Sequence, residues 1–335
     1  MSTQIIYSEE FKKHNNPGHP ENANRLDYML DELRKTDFYK DLDFVLPEKL
    51  PVDILSSVHS EEMIDRIIES SKEEDSWIDL DTYVSKNDFE TSLLAAGGVY
   101  NACLDVLKGK ADNAFCFVRP PGHHATRNRS MGFCLFNNAA IAAKEIAKKG
   151  KKVLIIDPDV HHGNGTQDII YDISNVIYQS LHLSPHFPGT GNISEIGIGE
   201  GKGYTNNAPL SYFYGNEAAE QILNDVFIPI ANQFKPDLII MSSGFDSHHS
   251  DPLGGLRFTA DFFGRIVKKY QEVQEKMVIT IEGGYNLDWI GKCAVSQIAQ
   301  LSENKINFSD KTDSKKDVLK LKNSIKKELE DYWDF

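Results

Sequence analysis

Val153-Leu154-Ile155-Ile156-Asp157-Pro158-Asp159-Val160-His161-His162-Gly163-Asn164-Gly165 lies near the middle of the 335-residue chain, and its reading decides the fold. Four large apolar residues in a row break abruptly into Asp, Pro, His and Gly. That pattern reads as a strand buried on both faces that ends in a polar loop. Residues 114–118, 176–181, 238–241 and 277–281 repeat it. Helical periodicity fills the intervals, in residues 88–108, 137–149 and 218–234. Strands alternating with helices predict an α/β fold around a parallel sheet covered on both faces.

In an open parallel sheet, ligands collect beyond the carboxyl ends of the strands. The run at 114–118 leads into Arg119-Pro120-Pro121-Gly122-His123-His124, and the one at 176–181 into His182, with His186 and Phe187 beyond. Residues 238–241 lead into Ser242-Ser243-Gly244-Phe245-Asp246, and 277–281 into Glu282-Gly283-Gly284-Tyr285-Asn286. Any one of these reads equally well as a solvated turn. Five together, each with His, Asp or Tyr close to glycine, read as one site.

Asp159 and His161 stand two apart, so on extended chain they point the same way. With Asp246 from another strand they make a carboxylate–imidazole–carboxylate set that leaves positions open for water and substrate. Zn(II) suits it, and Fe(II), Co(II) or Mn(II) are tolerated. A metal there polarises a carbonyl and acidifies water. Proton transfer then needs a base titrating near neutral pH, which His123 and His124 supply. Tyr285, on a Gly-Gly turn, can donate to an oxyanion. Asp157 and Asn164 suit supporting roles, each orienting one imidazole of the pair.

Composition narrows the function classes. Formal net charge is −14, which provides no broad positive field for a phosphate backbone, so direct nucleic-acid binding is not expected. No apolar run reaches the roughly 20 residues of a membrane helix. The stretch Met1-Ser2-Thr3-Gln4-Ile5-Ile6-Tyr7 lacks signal-peptide character, which predicts a cytoplasmic chain with no membrane partner. Cys103, Cys116, Cys134 and Cys293 show no Cys-x-x-Cys spacing and read as reduced core thiols.

Taken in order, the strings Arg119–Ala125, Ser130–Asn137, Asp157–Gln167, Gly244–Asp246 with Asp251–Gly255, and Glu282–Asn286 resemble the zinc-dependent histone deacetylase family, its class II branch in particular. The resemblance spans roughly residues 15–295. It implies an arginase-deacetylase fold with about eight central strands, and hydrolysis of acetyl or related acyl groups from lysine. It implies zinc on Asp159, His161 and Asp246, His123 and His124 as the tandem histidines, and His124 as the usual base and acid. Asp157 would partner His123, and Tyr285 would clamp the scissile carbonyl. Phe133 and Phe187 would wall a tunnel, with Gly132 and Leu253 beside it and Ser85 as a rim residue. Potassium would sit on carbonyls of Asp157, Asp159 and His161 with Ser180 and Leu181. Asn164 agrees with class II. Leu253 stands where polyamine-specific members carry a glutamate, and Pro158 departs from the family pattern without an evident consequence.

The expected partner is therefore an acyl-lysine protein or peptide, with a small acetylated amine such as an acetylpolyamine as the alternative. The entrance loop is placed at residues 15–25, with Glu21 at the rim. A binuclear ureohydrolase would need an Asp-x-Asp pair where Asp246-Ser247-His248 stands, and a non-catalytic acyl-lysine reader would lack Tyr285 or a histidine. His248 and His249 are expected in a solvated loop or at the tunnel rim. The catalytic domain is expected over residues 1–305. Residues 306–335 read as a charged segment and an amphipathic helix (Val318, Leu321, Ile325, Leu329, Tyr332) docked on that domain. An oligomer or partner helix is the other reading.

Overall fold

The apolar runs become strands because both their faces are covered. The computed structural model describes residues 2–335. Its strands are β1 (Thr3–Ile6), β2 (Asp43–Val45), β3 (Asp75–Trp77), β4 (Tyr83–Ser85), β5 (Asn113–Cys116), β6 (Val153–Asp157), β7 (Val176–Leu183), β8 (Thr205–Leu210), β9 (Leu238–Ser243) and β10 (Met277–Ile281). Eight of them form one sheet in the order β2-β1-β5-β10-β9-β6-β7-β8, while β3 and β4 make a separate ribbon. Every neighbouring pair in the large sheet is parallel. This is the α/β architecture that the resemblance implies, a parallel sheet of eight strands flanked by helices. All residues of β5, β6, β7, β9 and β10 are buried, which is why they lack the alternation of a half-exposed strand.

Register sets where the loops emerge. Cys116 lies beside Thr280, Ile281 beside Ser243, Ile156 beside Met241, and Asp157 beside Ser180. The polar loops after β5, β10, β9, β6 and β7 therefore leave one edge of the sheet as neighbours.

Helices follow the periodicity with local corrections. Asp88–Leu107 and Asn138–Ala147 lie where expected, and the second is capped by Asn137, whose side chain accepts from Ala140 N at 2.9 Å. The stretch 218–234 is not one helix. Asn216–Ile222 passes through a wide π turn, Leu223–Phe227, into Ile228–Phe234. Pro229 has no N–H to give the preceding turn, so regular α pairing stops there.

The C-terminal helix, Leu319–Leu329, buries Ile325 and Leu329 near β8 and the π turn. Trp333 Nε1 donates to Gly203 O at 2.8 Å, and Tyr214 Oη to Asp317 O at 2.7 Å. All four cysteines are buried free thiols, pushed up in pKa by burial. Among the described residues, no helix is long and apolar enough to cross a membrane.

Candidate active site

Asp159 and His161 follow β6, and Asp246 follows β9, its sheet neighbour. His161 Nδ1 lies 3.0 Å from Asp159 Oδ1 and 3.2 Å from Asp246 Oδ2. Backbone N–H groups hold the carboxylates: Val160 N donates to Asp246 Oδ1 at 2.9 Å, and Gly283 N to Asp159 Oδ2 at 3.0 Å. Both aspartates are fully buried. Asp246 Oδ2 has no aligned hydrogen-bond donor among the described residues. Glycine clears the space around these oxygens. A Cβ on Gly244 would stand 1.7 Å from Asp159 Oδ2, and one on Gly283 would stand 2.1 Å from Asp246 Oδ2.

Two carboxylates and an imidazole, with donor atoms within 4.8 Å of one another and one buried oxygen lacking a donor, fit a divalent cation. Electrostatics agree. Burial pulls the His161 pKa down, but Asp159 and Asp246 outweigh it and raise it to about 10, the response of two carboxylates that favour positive charge between them. Burial and the Asp159 charge raise Asp246, while Asp159 is held below the carboxylate range against its burial by His123 and His161.

The tandem histidines follow β5 and separate in character. His123 Nδ1 donates to Asp157 Oδ2 at 3.1 Å, and its Nε2 lies 3.8 Å from Asp159 Oδ2. Against its burial, Asp159 and Asp157 raise His123 to about 10. Asp157 accepts further from Tyr178 Oη at 2.9 Å and Asp159 N at 3.1 Å. His124 Nδ1 donates to Asn164 Oδ1 at 2.8 Å. Burial and the neighbouring His123 and His161 push its pKa well down. One imidazole is held charged, the other neutral with Nε2 free to accept.

Tyr285 follows β10, its ring 5.8 Å from that of Phe133. Burial and the Asp246 charge push its phenol well above the ordinary range, so it keeps its proton. Phe187 stands edge-on to His124 at 5.1 Å. Gly132 and Phe133 both adopt positive φ, +56° and +69°. A Cβ on Gly132 would meet the His124 ring at 2.5 Å, and the left-handed Phe133 is a strained conformation of a kind that clusters at functional sites. Leu253 is half-buried beside this region, its carbonyl accepting from His186 Nε2 at 3.2 Å. Ser180 and Leu181 lie buried in β7 alongside Asp157. The Pro158 carbonyl accepts from Ser247 Oγ at 2.8 Å and so ties the β6 loop to the β9 loop.

Three expectations require correction. Ser85 is not a rim residue: it is buried in β4, where its hydroxyl accepts from Asn15 N at 3.1 Å and its N–H donates to Asp88 at 2.6 Å. Glu21 is not at the rim either. It is fully buried between Arg25, at 2.7 Å, and Arg119, at 2.5 Å, because a carboxylate flanked by two guanidinium groups is far cheaper to bury than either charge alone. His248 and His249 are not solvated. Their Nε2 atoms each lie 2.9 Å from one oxygen of Asp310, in the C-terminal segment. These three residues could geometrically surround a cation, but His248 Nδ1 accepts from Ser250 N at 3.2 Å. Its Nε2 therefore carries the proton it gives to Asp310 and has no lone pair to offer.

Several supporting residues escape sequence reasoning. Arg25 donates to Gly284 O at 2.7 Å and Glu282 O at 2.6 Å, and its guanidinium lies 5.2 Å from the Tyr285 ring centre. Asp251 accepts from Tyr285 N at 2.7 Å and Asn286 N at 3.0 Å. Glu282 accepts from Gly122 N at 2.7 Å and His123 N at 3.1 Å. Asp251 and Glu282 lie inside the motif strings, but Arg25 carries no local signal.

Comparison with known proteins agrees with this geometry. A family model described as the histone deacetylase domain matches residues 19–301. A probable deacetylase of Archaeoglobus fulgidus is 38% identical over 297 residues, covering 86% of this chain and 82% of that protein. Histone deacetylase 15 of Arabidopsis thaliana is 40% identical over 253 residues, which cover 74% of this chain but 46% of that protein. The crystal structure of the HDA15 HD domain superposes with a TM-score of 0.93 at 34% identity, covering 99% of this chain and 95% of that one. The chain belongs to the histone deacetylase family.

Proposed function

We propose that this chain is a metal-dependent amidohydrolase that removes acetyl or related acyl groups from lysine side chains. One observation carries the reading: Asp159, His161 and Asp246 converge beside one neutral and one charged imidazole, with the protonated Tyr285 in the loop after the adjoining strand β10. Asp159, His161 and Asp246 would hold zinc, with Fe(II) or Co(II) also compatible. When bound, such a cation polarises a carbonyl and lowers the pKa of water. Carbonyls of Asp157, Asp159 and His161, with Ser180 and Leu181, would hold potassium, a reading supported by the side-by-side ends of β6 and β7.

This chain's own groups account for the proton traffic. His124, oriented by Asn164, takes a proton at Nε2 from the water that adds to the amide carbon. It returns that proton to the lysine amine as the C–N bond breaks. His123, whose charged form Asp159 and Asp157 favour, would keep positive charge beside the developing anion. Tyr285 donates its phenolic hydrogen to the carbonyl oxygen as negative charge gathers there. Phe133 and Phe187 would wall the acyl-lysine chain, with Gly132 and Leu253 next to them. The catalytic unit is assigned to residues 1–305, with 306–335 as its docked C-terminal appendage.

The test sets an acetyl-lysine peptide against acetylputrescine and acetylspermidine, with enzyme first loaded with zinc and then treated with chelator. Chelator-sensitive hydrolysis of the peptide is expected. Hydrolysis confined to the polyamines would overturn the lysine assignment while leaving the catalytic one.

A further inference from the structure

The mouth of this site is apolar in a way that the reaction does not require. Trp77 is 52% exposed and Leu80 98% exposed. Both belong to the β3–β4 ribbon, whose turn is fastened to the site: Phe133 N donates to Thr82 Oγ1 at 3.2 Å, and His19 Nε2 to Asp81 O at 3.1 Å. From Trp77 a line of rings runs inward, 6.1 Å to His19, 4.5 Å on to Phe133 and 5.8 Å on to Tyr285. The β7 side is similar. Phe187, 40% exposed, faces His124, while Tyr212, 41% exposed, lies 6.4 Å from His186, which stacks on His161. Single exposed apolar residues are ordinary on a protein surface; a group of them round one opening marks a contact surface.

Two carboxylates of the ribbon are held in ion pairs. Arg129 pairs with Asp79 at 2.5 Å, and Lys86 with Glu74 at 2.7 Å. Glu21, the carboxylate that could have met a cationic substrate, is buried under two arginines. Large apolar side chains find Trp77, Leu80, Phe187 and Tyr212 exposed there.

We infer that the preferred substrate is a peptide segment in which the acyl-lysine is flanked by large apolar side chains, docked on Trp77 and Leu80 to one side and on Phe187 and Tyr212 to the other. This rests on the acyl-lysine reading above. The occupant is substrate chain rather than a second copy, because the patch is continuous with the opening through which that lysine would enter.

The experiment compares kcat/KM of the zinc-loaded enzyme on acetyl-lysine pentapeptides flanked by Leu and Phe, by Gly, and by Arg. Burying one or two such side chains predicts about a tenfold advantage for the apolar flanks over glycine. The variants Leu80→Ser and Trp77→Ser should each move that ratio toward one. Leu80 is almost fully exposed, so its replacement leaves folding untouched, and the ratio rather than the absolute rate is read. Equal kcat/KM across the panel overturns the inference, and a ratio unchanged in both variants overturns the assigned surface. A dimer in sedimentation that Leu80→Ser dissolves, together with a flank ratio of one, assigns the patch to a second copy instead. Failure to hydrolyse any acetyl-lysine peptide overturns the lysine reading itself, a result distinct from hydrolysis without flank preference.

Discussion

Tyr285 is the residue whose role separates most cleanly from its surroundings. Its backbone is pinned by Asp251, and Arg25 fastens the adjacent Glu282 and Gly284 carbonyls, so removing the hydroxyl leaves the turn in place. Tyr285→Phe should cut kcat by about a hundredfold to a thousandfold, the range for losing one oxyanion donor. Metal content, read by elemental analysis, should be unchanged; parallel loss of metal would argue against the assigned role. Gly283→Ala is expected to do the reverse. Its Cβ would enter the space 2.1 Å from Asp246 Oδ2, so bound metal should fall well below that of the wild type while the protein remains folded. Full metal occupancy in that variant would remove Gly283 from the cradle.

At the scale of elements, the residues after β5, β6, β9 and β10 were legible because chemistry and strand ends coincide in the sequence. The missed strands of the large sheet, β1, β2 and β8, lack the signal. β8 reads Thr205-Asn206-Asn207-Ala208-Pro209-Leu210, and its two asparagines are buried with their amide N–H groups paired. Asn206 donates to Gly203 O at 3.1 Å and Asn207 to Gln167 Oε1 at 2.8 Å. Such pairing is a tertiary property that no hydropathy pattern reports. Asp310 is a similar case: nothing in the polar stretch 309–316 shows that one carboxylate bridges His248 and His249. It also accepts from Ala260 N at 2.9 Å. Asp310→Ala strands these donors and should cost about 1–3 kcal/mol in denaturant unfolding. No measurable loss would mean that the bridge is dispensable.

For the whole molecule, fold class and the order of the site loops could be read in advance, while the burial of Glu21 and Ser85 could not. Their surroundings are assembled from distant segments: Glu21 meets Arg119, and Ser85 meets Asn15. The same interior sets a pH dependence. His59 donates Nδ1 to Thr126 O at 2.9 Å and accepts from Asn137 N at 3.0 Å, so it is neutral in the fold. Burial lowers its pKa to about 4, and His162 is lowered to about 4 for the same reason. Unfolding releases each to its ordinary value of 6.5. The unfolded chain then binds more protons, so stability is full above about pH 6.5 and is lost as pH falls toward 4. Each such histidine contributes up to about 1.4 kcal/mol per pH unit. The urea midpoint should decline between pH 6.5 and 4; a flat midpoint would contradict the buried neutral state.

The parallel order β10-β9-β6-β7 has one more consequence, in the currency of thermodynamic linkage. Val160 and Asp246 meet across 86 residues of chain, on strands that must first pair. Under the proposed function, Asp159 and His161 would therefore share a cation with Asp246 only in the folded molecule, and the unfolded chain would not compete for it as a chelate. Each increment of metal binding then reappears as folding stability, about 2.7 kcal/mol at a free concentration a hundredfold above Kd. Thermal unfolding should move upward with zinc concentration and return on chelation, while Asp246→Ala should abolish the shift. By this coupling, the supply of metal in the surroundings would set the lifetime of the folded chain as well as its turnover.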